Sequence, residues 1–191
     1  MNRLTIMLLG TPQVFISGKP IKLGRQKALA LLAYLAATNQ SHRRDRLATL
    51  LWPESDQQRA KASLRMALTD LKKSLGTEWL DANRQAIALN QELDIWVDVL
   101  QFQHMIKQDQ LAQAQSSRLT LSQLSQTAAA VSFYKGAFLQ GFSLPDTSEF
   151  ENWLRHMEQN LQQLFSESIT HLIEACLAES KTAEGRSEER R

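Results

Sequence analysis

Between Ser55 and Gly76, apolar side chains recur with the period of an α-helix: Ala60, Leu64, Ala67, Leu68, Leu71 and Leu75. That spacing predicts one amphipathic helix with a buried stripe. Ser55 with Gln58 three residues later reads as a capping box that starts it. Trp52-Pro53 breaks the run from the segment before, and Gly76 is the residue expected just past the end. The opposite face carries Gln58, Arg59, Ala62, Arg65, Met66, Thr69 and Lys73, with Lys61 and Lys72 beside them.

The same reading divides the rest of the first half. Leu4–Gly10, Gln13–Ser17 and Pro20–Leu23 read as short strands separated by turn signals at Gly10-Thr-Pro12 and Ser17-Gly18-Lys19. Arg25 to Thr38 is a helix apolar almost all round and therefore buried, and a second helix spans about His42 to Trp52 with Leu47, Leu50, Leu51 and Trp52 inward. After Gly76, Glu78–Asp81 and Gln85–Leu89 form a two-stranded ribbon with Asn83 and Arg84 at its tip. Strands, three helices with a short break between the second and third, then a hairpin, is the order of a winged helix-turn-helix.

Residues 90–97 join this part to a helical one. Its helices are expected at Asp98–Lys107, about Leu119–Tyr134 and Thr147–Glu179, with a polar stretch from Gln113 to Arg118 and a glycine-containing connection from Tyr134 to Phe142. The fold class is thus mainly α with a small β component. A winged-helix domain is expected over 3–95, an all-α domain over 96–180, and a disordered, charged tail over 181–191.

Charge sharpens this division. The net charge of +2 hides an asymmetry: residues 1–100 hold 14 Lys and Arg against 9 Asp and Glu, and residues 101–191 hold 8 against 11. A basic first half suits a polyanion and an acidic second half does not. The densest apolar run, Ala28 to Ala37, covers ten residues, about half of what a bilayer requires, so no membrane span is expected. The single cysteine, Cys176, excludes an internal disulfide, fits a reducing cytoplasm and is expected in the core of its helix.

On the helix at Ser55–Gly76, cations, an amide, a hydroxyl and a small residue suit entry into a DNA major groove. Gln58, Arg59, Ala62, Arg65, Met66 and Thr69 are the expected base readers. Arg43, Arg44, Arg46, Lys61, Lys72, Lys73 and Arg84 are the expected phosphate contacts. Plain solvated charge competes with that role for Lys27 and the arginines, and the helix dipole alone accounts for Lys72 and Lys73. Asp70 is the discordant residue: it repels phosphate unless it pairs with Lys73 or accepts from a cytosine amino group.

Three sets of residues resemble the SARP-type bacterial regulators: Leu23-Gly24-Arg25-Gln26-Lys27-Ala28, Arg44-Asp45-Arg46-Leu47 with the following Trp52-Pro53, and Ala62-Ser63-Leu64-Arg65. These regulators have a winged helix of the response-regulator (OmpR) kind. The second half, through Val97-Asp98-Val99, Phe138-Leu139-Gln140-Gly141-Phe142 and Trp153-Leu154, is similar to their tetratricopeptide-like bacterial transcriptional activation domain. The resemblance covers about residues 3–180. It implies an activator that binds promoter direct repeats in double-stranded DNA and contacts RNA polymerase; one copy's modest footprint separately implies a homodimer on repeated half-sites. Arg43 stands where the family often has a small capping hydroxyl residue, with Ser41 as the alternative cap. Lys72 replaces a frequent Arg and loses its two-pronged hydrogen bonding. About three helices are present where three stacked pairs are needed, so the helical domain reads as incomplete.

No cofactor, metal or enzymatic activity is expected. His42, His104, His156 and His171 have no second ligand at binding spacing, and no phosphate-binding GxxxxGK[ST] loop occurs. Glu149 and Glu151 read as solvated charges, and Trp52, Trp79, Trp96, Trp153 and the group Phe133, Tyr134, Phe138, Phe142 as core. Two rival readings are a protein-interaction scaffold that has lost DNA binding and the N-terminal fragment of a larger ATPase-containing regulator.

Overall fold

A computed structural model describes residues 2–115 and 121–188. In chain order the elements are β1 (Leu4–Met7), β2 (Gln13–Ile16), β3 (Lys19–Pro20), α1 (Gln26–Thr38), β4 (His42–Arg43), α2 (Arg44–Leu51), α3 (Gln57–Leu75), β5 (Leu80–Ala82), β6 (Ala86–Leu89), β7 (Ile95–Val97), α4 (Asp98–Gln115), α5 (Leu121–Phe133) and α6 (Ser148–Glu188). The chain is mainly helical with a small sheet component.

The strands make two sheets. One runs β3-β2-β1-β7, with β1 antiparallel to β2 (Leu4 opposite Ile16) and parallel to β7 (Ile6 opposite Val97). The other runs β4-β6-β5, all antiparallel, with His42 opposite Ile87 and Leu80 opposite Leu89. Several of these strands depart from the sequence reading, β1 ending at Met7 and β5 shifting to Leu80–Ala82. His42 and Arg43 form β4 rather than the start of a helix, because β6 offers them a partner edge; α2 begins at Arg44, with Arg43 at its N-cap making no side-chain cap and Ser41 outside the helix. Residues 95–97 are likewise not a free join but a strand of the first sheet. The predicted strand at Pro20–Leu23 is shorter and begins one residue earlier, at Lys19–Pro20, with one backbone bond beyond it, from Ile21 N–H to Val14 O at 2.8 Å.

Packed against α2, α3 and β6, α1 buries Ala28 and every residue from Ala30 to Ala37. This agrees with its all-round apolar pattern. The α3 stripe is also buried in full: Ala60, Leu64, Ala67, Leu68, Leu71 and Leu75. Each leucine so placed contributes about 1.5–3 kcal/mol relative to exposure. The predicted capping box does not form. Asp56 is the N-cap, its carboxylate accepting from Arg59 N–H at 2.9 Å, and the charge suits the positive end of the helix better than a serine hydroxyl does. Gly76 ends the helix at φ 107°, a conformation that favours glycine, and donates to the Lys72 carbonyl.

One carboxylate joins the halves. Asp98, 1 % exposed at the start of α4, accepts the backbone N–H groups of Leu8, Leu9 and Val99 at 2.8–2.9 Å. Burial pushes this carboxyl above the usual carboxylate range, and the N–H donors pull it back in part. The same β1 end is held by the connection after α5: Leu139 N–H donates to Leu8 O at 2.8 Å and Gly10 N–H to Ala137 O at 3.0 Å.

Helices α4, α5 and α6 pack together, with Tyr134 stacked on Phe165 at 4.2 Å. Two are longer than expected, α4 running to Gln115 rather than Lys107 and α6 to Glu188 rather than Glu179; α5 lies within its expected span of about Leu119–Tyr134, and residues 116–120, with part of the polar stretch at 113–118, lie outside the described residues. The expected disordered tail is helical through Glu188, its Ala, Glu, Lys and Arg being good helix formers; residues 189–191 lie outside the described residues. Cys176 is exposed, correcting its expected place in the core, on the same stretch of α6 that leaves Ile173 and Leu177 more than half exposed. Among the described residues no helix is long and apolar enough to cross a membrane, and no group of His, Cys, Asp and Glu could hold a metal ion.

Candidate nucleic-acid interface

The buried stripe of α3 fixes which way its other face points. Gln58, Arg59, Ala62, Arg65, Met66 and Thr69 are all exposed, with Met66 at 52 %. Two carboxylates lie near them: Asp56 at the N-cap, beside Arg59, and Asp70 on one shoulder of α3. The Thr69 hydroxyl donates to Arg65 O at 2.8 Å, so it is already engaged with the helix, while its side chain stays on the outer face.

On one side of α3 lies α2, and beyond it the β5–β6 hairpin. The hairpin is tied to the start of α2 by two bonds to its tip. Arg44 N–H donates to Gln85 O at 2.9 Å, and Arg44 Nε donates to Asn83 O at 2.7 Å. Asn83 shapes the tip itself, its side-chain oxygen accepting from Gln85 and Ala86 N–H. Arg44, Ala82, Asn83 and Arg84 line an open cleft of about 430 Å³. Arg44 and Arg84 thus border one open surface, where cationic side chains suit an anionic oxygen.

The remaining expected phosphate contacts are more constrained. Arg43, Arg46, Lys73 and Arg84 are exposed, and Lys61, Lys72 and Arg44 half-buried. Lys61 pairs with Asp45 of α2 at 2.8 Å, and the ammonium holds the Asp45 carboxyl below its usual range through a hydrogen bond and its charge. Arg59 lies 3.2 Å from Asp56. Arg46 pairs with Glu149 at the start of α6. Glu149 is therefore not the solvated charge the sequence suggests, and neither is Glu151, which accepts Leu144 N–H at 2.7 Å.

Asp70 finds a third partner that the sequence reading passes over. It pairs neither with Lys73 nor outward, but with Arg25 just before α1, at 2.8 Å. A basic residue ahead of a buried helix carries no local signal of where its side chain goes; only the packing of α1 against α3 brings it here. Lys27, two residues on, donates to Leu51 O at 2.7 Å and lies 5.1 Å from the centre of the Trp52 ring. Burial lowers its pKa, and Asp146 raises it in part.

The aromatic residues pack as core. Trp79 is 1 % exposed, Trp153 lies 4.8 Å from Tyr34, and Trp96 lies 5.6 Å from Phe133. His42 sits between Thr38 Oγ1, 2.7 Å away, and the Tyr34 ring; burial and then Arg46 lower its pKa.

No family model matches this chain, and no curated protein does. Among solved structures the chain is similar to Mycobacterium tuberculosis EmbR in complex with a low affinity phosphopeptide, at a TM-score of 0.66 and 21 % identity. The likeness covers 100 % of this chain and 51 % of that one, so the chain spans about half the length of that neighbour. At that identity the likeness is one of fold.

Proposed function

We propose that this chain is a DNA-binding transcriptional regulator, no enzyme, built as a winged helix over about residues 3–95 followed by a helical, tetratricopeptide-like domain. In this reading α3 enters the major groove, α2 crosses the phosphate backbone, and the β5–β6 hairpin is the wing. The observation that carries it is the outer face of α3. Six side chains of base-reading chemistry stand exposed together, flanked on one side by a cation-bearing α2 and, beyond it, a hairpin tip with its own arginine. The whole-chain likeness to EmbR supports the fold half of the reading.

Gln58, Arg59, Ala62, Arg65, Met66 and Thr69 read base edges, and Arg43, Arg44, Arg46, Lys61, Lys72, Lys73 and Arg84 hold phosphates. One copy offers a modest footprint, so tight binding uses two copies on direct repeats near a promoter. A cytoplasmic site of action and contact with RNA polymerase follow from the SARP-type resemblance. Arg65→Ala weakens binding to a selected operator by about 1–3 kcal/mol and relaxes its sequence preference, whereas Arg46→Ala weakens binding to all duplexes alike. Quantitative binding to selected and random duplexes checks this; equal losses on both for both variants refute the assignment of roles.

A second reading is favoured by a specific observation: Arg25, Arg46, Arg59 and Lys61 all have carboxylate partners within the chain. A surface so neutralised suits a protein-interaction scaffold. Exposed pairs are worth about 0–1 kcal/mol each, so phosphates can displace them, and the first reading stands above the second. A salt titration separates the two, since a scaffold has no steeply salt-dependent duplex affinity.

A further inference from the structure

Besides the α2 and hairpin side, α3 has another shoulder. With Ala62 at the centre of the outer face and 100° per residue, Lys61 and Lys72 fall toward α2, while Ser63, Met66 and Asp70 fall toward α1. On that second shoulder Arg25, Gln26, Lys27, Trp52, Ser63 and Met66 line a cleft of about 330 Å³. Its two cations are positioned differently. Lys27 is anchored on Leu51 O and Trp52 and gives only one of its three donors to the carbonyl. Arg25 is 56 % exposed; its Nε lies near Asp70 Oδ2 but off the line a hydrogen bond needs, so the pair is a charge contact that leaves the guanidinium donors uncommitted.

We infer that this cleft is a second phosphodiester seat, in which Arg25 and Lys27 hold the DNA strand on the far side of α3 from α2 and the wing. The inference rests on the DNA-binding reading above. A major groove about 12 Å wide accepts a helix of about 10–12 Å, so a strand passes along each shoulder. The α2 shoulder has its cations in Arg43, Arg44 and Arg46; the α1 shoulder has Arg25 and Lys27. Asp70 is then the resident counter-ion of an empty seat: it holds Arg25 at the cleft and is exchanged for a phosphate oxygen. This accounts for an acidic residue on the shoulder of a groove-facing helix.

The test titrates the full chain onto a random duplex over about 50–200 mM KCl. Arg25→Gln is expected to bind about threefold to tenfold more weakly, with the slope of log affinity against log salt reduced by about 0.9. Asp70→Asn is expected to bind more tightly than the wild type. Lys19→Gln, which removes the same charge on the exposed edge strand β3, is the control. The inference is overturned if Arg25→Gln keeps the wild-type slope, if Lys19→Gln matches its loss, or if Asp70→Asn weakens binding in step with a lower melting temperature. That last pattern marks the pair as merely structural. Wild-type protein without salt-sensitive duplex affinity overturns the DNA-binding reading together with the seat.

Discussion

Helices α3 and α6 are written in the same pattern and end in different situations. Both are long, and both carry apolar residues at helical spacing. On α3 every member of the stripe is buried, from Ala60 to Leu75, against α1 and α2. On α6 the first half is covered, with Phe150 and Leu161 at 0 % exposure, while Ile173 and Leu177 further along are 54 % and 56 % exposed. Periodicity states that a helix has an apolar face. It does not state that the fold supplies something to lie against it.

Substitutions in the two regions test this directly. The largest effect is expected at the joint on which the covered region depends. Asp98→Ala leaves the N–H groups of Leu8, Leu9 and Val99 buried without their acceptor, and should cost about 3 kcal/mol or more in urea denaturation. A loss below about 1 kcal/mol would mean that water reaches β1. Leu71→Ala, at 0 % exposure on α3, should cost about 2–5 kcal/mol by the same measurement. Its counterpart Ile173→Ala, at 54 % exposure on α6, should stay within about 0.5 kcal/mol of wild type; a larger loss there would erase the contrast between the two helices.

Two weaker effects sharpen it from the contact between the regions. Glu149→Gln frees Arg46 from α6, and should tighten binding to random duplex by a few-fold at low salt, about what one exposed ion pair is worth. Unchanged affinity would show that Arg46 does not meet phosphate. His42 packs under α6 through Tyr34 and Trp153, and its pKa is lowered in the fold, so the unfolded chain takes up its proton first. Its contribution is therefore present above about pH 6.5 and lost as pH falls below it. His42→Phe should flatten stability between about pH 7 and 5, read from melting temperatures.

Much of this was legible along the chain, but unevenly. The three helices of the first half, the hairpin tip at Asn83 and Arg84, and the stripe of α3 follow from spacing and turn chemistry, which are local properties. Strands β4 and β7 did not, since segments of two and three residues carry no period; each exists because β6 or β1 presents an edge to it. The helix start at Asp56 shows the same at smaller scale: Ser55 and Asp56 are both competent caps, and the path of the chain after Pro53 chose between them.

The candidate interface divides in the same way. Residue types and the 3.6-residue period were enough to say which side chains of α3 share a face and which of them lie beneath it. The tertiary structure alone decided what neighbours that face: Arg25 beside Asp70, Glu149 beside Arg46, Lys61 beside Asp45. Those partners come from elsewhere in the chain, and an ion pair between distant segments leaves no periodic trace. Its geometry is set only when the apolar faces beneath have packed.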